Sequence, residues 1–309
     1  MENIFKPDYR EFPLFSVNWA LVEIKPMQNK SFGKNILQGI RLRMGKIFHN
    51  PYSQVNIGPV KKIFLKHLNT GKIRTHRLFG REISFYSPTE LLHGLHEIFV
   101  ENIYKQHLPS RPFIIDCGAN IGLSVIYMKR LYPQARIIAF EPDERNFALL
   151  EKNIRAFGFE QVEARREAVW VENTELQFAS EGSMSSRINM NSSGGTTTVK
   201  AVRLRDFLDR PVDFLKIDIE GAEYEVMNDI AGQLHFVDHL FLEYHGSFTQ
   251  NAELSRLFTL LVEKGFSYYI KEATSVYDSP LELSKRPGIP YDVQLNIFCF
   301  RNTKPTEII

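Results

Sequence analysis

Apolar positions change their period along the chain. From Ser31 to Phe48, Ile36, Leu37, Ile40, Met44 and Ile47 fall at helical spacing, opposite a face carrying Lys34, Arg41, Arg43 and Lys46. This pattern predicts an amphipathic helix over 31–48, weakened by Gly33, Gly39 and Gly45. Three short runs follow, Lys61–His67, Lys72–Leu78 and Glu82–Tyr86, with Asn69-Thr70-Gly71 and Phe79-Gly80-Arg81 between them. They predict small antiparallel strands joined by tight turns. Ser87-Pro88-Thr89-Glu90 then opens a helix, with Ser87 as its cap and Pro88 in its first position. That helix is expected over 88–106 and ends before Pro109.

From Arg111 the pattern alternates. Short apolar runs at Phe113–Asp116, Arg136–Phe140, Val162–Val169, Val212–Ile219, His239–Tyr244, Phe266–Ile270 and Leu295–Phe300 predict strands. Ile121–Leu131, Asp143–Phe157, a segment from Ala222 and Arg256–Lys264 predict the helices between them. Alternation of this kind implies an α/β fold: a mostly parallel seven-stranded sheet with helices on both faces. The expected organisation is an N-terminal α+β extension over 1–108 and a ligand-binding domain over 109–309. Ser180–Thr198, SEGSMSSRINMNSSGGTTT, lacks apolar periodicity. It predicts a mobile loop, either a lid or a surface loop without function.

Composition changes this picture little. The 309 residues are 43% apolar and 24% charged, as in soluble globular chains. A net charge of +2 and a pI of about 8.4 lie below the range of nucleic-acid binders, so none is expected as a partner. Two cysteines, Cys117 and Cys299, exclude a disulfide framework and read as buried thiols in a reducing compartment. No window holds about 18 consecutive apolar residues, and the acidic N-terminus has no secretory core. The expected location is the cytoplasm. The basic helix 31–48 could touch an anionic membrane, although a solvated face packed on the domain is the preferred reading.

The chemistry begins at Phe113-Ile114-Ile115-Asp116-Cys117-Gly118-Ala119-Asn120-Ile121-Gly122. An apolar strand ends in an acid, a glycine-containing turn follows, and a helix begins. Ligands of open α/β sheets bind at such carboxyl ends. Glu141 ends the next strand about 20 residues on, the spacing at which a carboxylate takes ribose hydroxyls. A dinucleotide turn needs the Gly-x-Gly-x-x-Gly spacing, which this turn lacks. Asp116 would oppose a phosphate and would suit a cationic ligand. S-adenosylmethionine carries a sulfonium and an ammonium and no phosphate.

Farther on, Lys216, Asp218 and Glu220 alternate with Leu215, Ile217 and Ile219, which puts three charges on one side of a strand. Burying them is costly unless they pair. Lys216 with Asp218 as an ion pair is the structural reading. The next strand ends in Glu243 and His245. With the two strands adjacent, Asp218, Glu220, Glu243 and His245 converge. A hydroxyl that accepts a methyl group must lose its proton, and His245 is a candidate base because its ordinary pKa lies near neutrality. In that scheme Glu243 orients it; Glu220 is the other candidate. The acids might equally bind a divalent cation, but no spacing demands one, and no metal is expected.

The motifs DCGANIG, FEP and LKIDIEGAE, taken together, resemble the FkbM family of class I methyltransferases. The resemblance runs from about Phe99 to Phe300. It implies a Rossmann-like fold, S-adenosylmethionine as cofactor, and methyl transfer to a hydroxyl of a glycan or small-molecule acceptor. Asp116, Gly118, Asn120 and Gly122 would line the methionine end, with Asp218 beside them. Glu141 would hold the ribose, and Ala168 would lie by the adenine. Two alternatives from the residues alone are a nicotinamide-dependent oxidoreductase or epimerase and a silent nucleotide-binding scaffold. The first lacks its glycine spacing and a Tyr-x-x-x-Lys pair; the second fits poorly with the intact Asp116, Gly118 and Glu141. A homodimer is compatible with the sequence.

Overall fold

A computed structural model of the chain describes residues 52–179, 187–188 and 196–301. Helix 31–48 lies outside them, as does most of the loop expected over Ser180–Thr198; the described Arg187–Ile188 and Thr196–Thr198 are strand.

The centre is a seven-stranded sheet. Its strands are β3 (Phe113–Cys117), β4 (Arg136–Phe140), β5 (Val162–Arg165), β10 (Val212–Ile217), β11 (Val237–Gly246), β12 (Phe266–Glu272) and β15 (Val293–Arg301). They lie in the order β12-β15-β11-β10-β3-β4-β5. Strands β3, β4, β5, β10 and β11 pair in parallel, and β15 runs antiparallel to both β11 and β12. This is the Rossmann-like class I arrangement expected from the sequence. The strand order reverses between β3 and β10, and a ligand cleft of such sheets forms at that switch point. Ile114, Ile115, Ile137, Leu215 and Ile217 are buried, as strands covered on both faces require.

Between the strands run α3 (Leu123–Leu131), α4 (Glu144–Phe157), α5 (Glu223–Asp229) and α6 (Asn251–Glu263). The Asp143 side chain caps α4 by accepting from the N–H groups of Arg145 and Asn146. A second sheet of four strands leaves the main one after β5. It holds β6 (Ala168–Trp170), β7 (Thr174–Ala179), β8 (Arg187–Ile188) and β9 (Thr196–Arg203), in the order β6-β9-β7-β8. The single strand expected over Val162–Val169 is therefore two, in different sheets.

The N-terminal part differs from expectation in two elements. Pro59–Lys66 is a helix, α1, where a strand over Lys61–His67 was expected. Ile63, Phe64 and Leu65 are consecutive and fit either period. Pro59 at the first helical position fixes φ for a helix and decides the matter. The other two runs form a hairpin, β1 (Arg74–Leu78) and β2 (Arg81–Phe85), closed by Phe79 and Gly80 with φ of 49° and 81°. Two positive φ angles characterise the tight primed turn. Next comes α2 (Pro88–Gly94), capped by Ser87 through the Glu90 N–H. The helix then widens into a π-helical turn over Leu95–Val100 and stops short of residue 106. Leu78, Ile83, Phe85, Leu91, Leu95 and Phe99 share one apolar cluster with Ile114, Ile126, Ile137 and Leu150. Asn153 of α4 ties the pieces polarly: it accepts from the Ser84 N–H and donates to the carbonyls of Ser84 and Ile121.

Candidate active site

The turn after β3 is shaped by packing. Gly118 has φ of 89°, and a Cβ there would lie 1.9 Å from the Asp218 carbonyl oxygen. Only glycine lets the turn and the end of β10 approach so closely. Gly122, at φ 88°, packs on Leu150 in the same way. Asn120 takes a left-handed φ of 49°, which asparagine tolerates better than most residues.

Charged groups are built around this turn. Asp116 is buried; its Oδ2 accepts from Ser124 Oγ at 2.5 Å and its Oδ1 lies 3.2 Å from Lys216 Nζ. Lys216 also lies 3.2 Å from Asp218 Oδ2 and donates to the Gly118 carbonyl at 2.8 Å. Burial disfavours its charge, but Asp116 and Asp218 outweigh that and hold its pKa well above the usual lysine value. Lys216 thus joins β3, β10 and the turn, so the structural reading of the Lys216–Asp218 pair is part of the geometry. Glu141 ends β4, with Oε2 accepting from the Asn120 N–H at 2.8 Å and Oε1 from the Asp143 N–H at 2.9 Å. Burial pushes its carboxyl up to about 8 against those hydrogen bonds.

The second cluster stands at the ends of β10 and β11. Strand β10 ends at Ile217, so Glu220 is not delivered by strand alternation. The chain turns through positive φ at Glu220 (60°) and Gly221 (103°). Glu223, fully buried at the start of α5, holds this turn by accepting from the N–H groups of Ile219 and Gly221. The same carboxylate lies 3.2 Å from His245 Nδ1. His245 Nε2 stands 3.5 Å from Glu243 Oε1 and 3.7 Å from Glu220 Oε2. Burial works against a charged imidazole, yet Glu223 and Glu243 hold the His245 pKa well above its ordinary value. Burial, against the pull of His245, raises the Glu220 carboxyl to about 8. Burial also raises Asp218, against Lys216. Ligand atoms of Asp218, Glu220 and His245 all lie within 4.8 Å of one another, close enough to grip a cation.

A cleft of about 840 Å³, open mouth included, brings the two clusters together. Gly118, Asn120, Lys216, Asp218, Glu220 and Glu243 line one side. The structure therefore gathers Asp116, Gly118, Asn120, Glu141, Asp218, Glu220, Glu243 and His245 around one region, with Gly122 opening α3 behind it. Ala168 is buried in the second sheet and does not line this cleft.

Three contributors escaped the sequence reading. Glu223 stood in the LKIDIEGAE motif without a role; an acid in the first turn of a helix after a Gly was its signal. His93 and Tyr104 line the opposite wall of the cleft. His93 Nε2 lies 3.1 Å from Glu97 Oε2, one helical turn on, and that hydrogen bond raises its pKa. The Tyr104 ring packs edge-on against Phe241 with centroids 5.0 Å apart. No local pattern marks the last two, because the wall exists only once α2 meets the sheet.

Comparison with known proteins follows the same lines. Residues 116–268 match the model of the methyltransferase FkbM domain. A protein of Beauveria bassiana named methyltransferase 1 is 28% identical over 203 residues, 57% of this chain and 80% of its own. Methyltransferase sdnD of Sordaria araneosa is 54% identical over 59 residues, 19% of this chain and 23% of its own. The solved FkbM methyltransferase of Methylobacillus flagellatus KT aligns over 67% of this chain and 48% of its own, with a TM-score of 0.46 and 13% identity.

Proposed function

The chain belongs to the FkbM methyltransferase family, and from that premise we propose that it moves the methyl group of S-adenosylmethionine to a hydroxyl of a glycan or small-molecule acceptor. One observation carries the reading. Among the described residues, Asp116, Asp218, Glu220, Glu223 and Glu243 pair with Lys216 and His245, five carboxyl groups to two cationic side chains. This site has more carboxylates than positive partners, so it favours a cationic ligand and disfavours a nicotinamide dinucleotide with its pyrophosphate. Gly118, Ala119 and Asn120 of the turn line the cleft in which that ligand would lie.

The residues fit the cofactor in parts. Asp116, Gly118, Asn120 and Asp218 form the pocket for its methionine end, Gly122 starts the helix beneath it, and Glu141 offers its remaining lone pairs to the ribose. Ala168 is assigned to the adenine side by the resemblance alone. When bound, the cofactor supplies an activated methyl group and its own leaving group. The protein then has to hold the acceptor oxygen in line and take its proton.

Glu220 is the better base. Glu223 and Glu243 hold the His245 pKa well above its ordinary value, so little of it has a free lone pair at neutral pH, whereas Glu220, raised to about 8, keeps an ionised fraction there that is a stronger base than an ordinary glutamate. In this scheme His245 and Glu223 set the Glu220 turn, and Glu243 faces the acceptor. The reaction calls for no metal, and the acceptor is held without nucleic acid. No helix among the described residues is long and apolar enough to cross a membrane.

Isothermal titration with S-adenosylmethionine, S-adenosylhomocysteine and NAD tests the cofactor. The first two should bind and NAD should not; binding of NAD alone overturns the reading. A screen of glycans and hydroxylated metabolites with radiolabelled cofactor then tests the acceptor. Label recovered on nitrogen or carbon instead of oxygen removes the O-methyl assignment.

A further inference from the structure

The cleft does not account for the charge distribution of the chain. From Ile24 to Arg81 there is no aspartate or glutamate, and this run carries thirteen lysines and arginines. With a total of +2, everything outside the run is net acidic. The described part of the run includes the helix α1 and the hairpin β1–β2, and it holds Lys61, Lys62, Lys66, Lys72, Arg74, Arg77 and Arg81. Such segregation on one stretch of chain is a feature of contact with an anionic surface.

Helix α1 adds a second, independent feature. Val60, Ile63 and Phe64 are spaced i, i+3 and i+4 and so share one face. That face points to solvent: Val60 is 81%, Ile63 60% and Phe64 61% exposed. Only Leu65 on the other side is buried, within the cluster of Val55 and Ile57. Large apolar residues exposed singly need no explanation, but three on one helical face do. Lys66 is exposed, and Lys61 and Lys62 are half-exposed. Ile73, 59% exposed in the approach to β1, stands next to exposed Lys72.

We infer that α1 is a membrane-docking element: Val60, Ile63 and Phe64 enter the headgroup boundary of an anionic lipid surface while Lys61, Lys66 and Lys72 meet its phosphates. A basic helix with an apolar face lies in the interface plane in this way. Nucleic acid would use the same charges and could stack a base on Phe64, but it gains little from the aliphatic Val60 and Ile63 that share its face, so the lipid is favoured. Docking by an eight-residue helix is reversible. The inference does not depend on the methyl-transfer reading.

The test uses the full chain and flotation with vesicles of two compositions: phosphatidylcholine alone, and equal parts of phosphatidylcholine and phosphatidylglycerol. Binding is expected to the mixed vesicles only and to weaken as salt is raised. Replacing one lysine of the set by glutamine should cost about fivefold in vesicle affinity. Phe64→Glu should cost about tenfold or more, since it removes apolar area and adds a repelled charge. Phe64 is exposed, so folding should survive; Ile63→Gln serves as the second variant, and an unchanged melting temperature and S-adenosylmethionine titration verify both. Equal binding of wild type and both variants to the mixed vesicles, or no binding of wild type, overturns the inference. So does tighter binding to a DNA duplex or single-stranded RNA that survives Phe64→Glu, which would assign the basic run to nucleic acid.

Discussion

At the turn after β3, each carboxylate meets donors supplied by the fold: Asp116 takes Ser124 Oγ and pairs with Lys216, and Glu141 takes the N–H groups of Asn120 and Asp143. At the ends of β10 and β11 the supply runs short. Glu220, Glu223 and Glu243 all turn to His245, and Asp218 shares Lys216 with Asp116. Both regions adjoin the same cleft; Asp116, Glu141 and Glu223 are buried and Asp218, Glu220 and Glu243 half-buried, so burial does not divide them cleanly. In the turn region each carboxylate has a hydrogen-bond donor, Asp116 Oδ1 being held by the Lys216 ion pair alone, and the region fixes shape. At the ends of β10 and β11, burial first and the neighbouring carboxylates after it raise the proton affinity of Glu220. On the proposed function, the comparison teaches that binding and reaction divide along one sheet edge by how the carboxylates are partnered.

The largest break in this division comes from geometry. Gly118→Ala would drive a Cβ to 1.9 Å from the Asp218 carbonyl oxygen, a backbone atom that no rotamer change can move aside. Turn and acid region should separate together, with cofactor titration flat and turnover lost. Retained binding with lost turnover would mean that the turn tolerates the shift and that the two regions are less tightly linked than the distances imply.

Glu220→Gln attacks only the acid region. Turnover on any accepted hydroxyl should fall by about 10²–10⁴-fold, the usual worth of a general base, with S-adenosylmethionine affinity within a few-fold of wild type. In the wild type, the base form of Glu220 gains population as pH rises towards about 8, so turnover should climb over that range, and the Gln variant should lose the climb. A pH profile that persists in Glu220→Gln but disappears in His245→Gln would return the base role to the histidine.

How much of this was legible beforehand differs between the same two regions. DCGANIG and Glu141 are local features: a strand, an acid and a turn carry their geometry within a few residues, and the mostly parallel sheet follows from alternation, although its strand order does not. Asp218, Glu243 and His245 were also placed by strand period and adjacency. Glu220 was found for an incorrect reason, since a left-handed turn held by Glu223 delivers it rather than strand alternation. That turn depends on a carboxylate reaching back from α5, which no periodicity encodes. The helix at Pro59 was misread because three adjacent apolar residues satisfy either period and the first-position proline was given no weight. His93 and Tyr104 were invisible because their wall is assembled by contacts far apart in sequence.

Glu141 provides the finest comparison, because it belongs to the satisfied region yet is raised to about 8 like Glu220. Two backbone donors soften the cost of burying its charge and do not abolish it. The sign follows from linkage. A carboxyl whose folded pKa is raised binds its proton more tightly when folded, so its contribution is fully present below the unfolded value, near 4.5, and is lost as pH rises through about 8. The ligand-free enzyme should therefore lose melting temperature between about pH 5 and pH 8. Glu141→Gln removes the titrating charge while keeping size and one acceptor, so its melting temperature should fall less over the same interval. It should also bind S-adenosylmethionine about tenfold more weakly, the loss of one charge-assisted hydrogen bond to a ribose hydroxyl. Differential scanning fluorimetry across that interval, with and without cofactor, reads both effects. Parallel melting curves for wild type and variant would place the Glu141 pKa in the ordinary carboxylate range and leave Glu220 as the site where raised proton affinity belongs to the reaction alone.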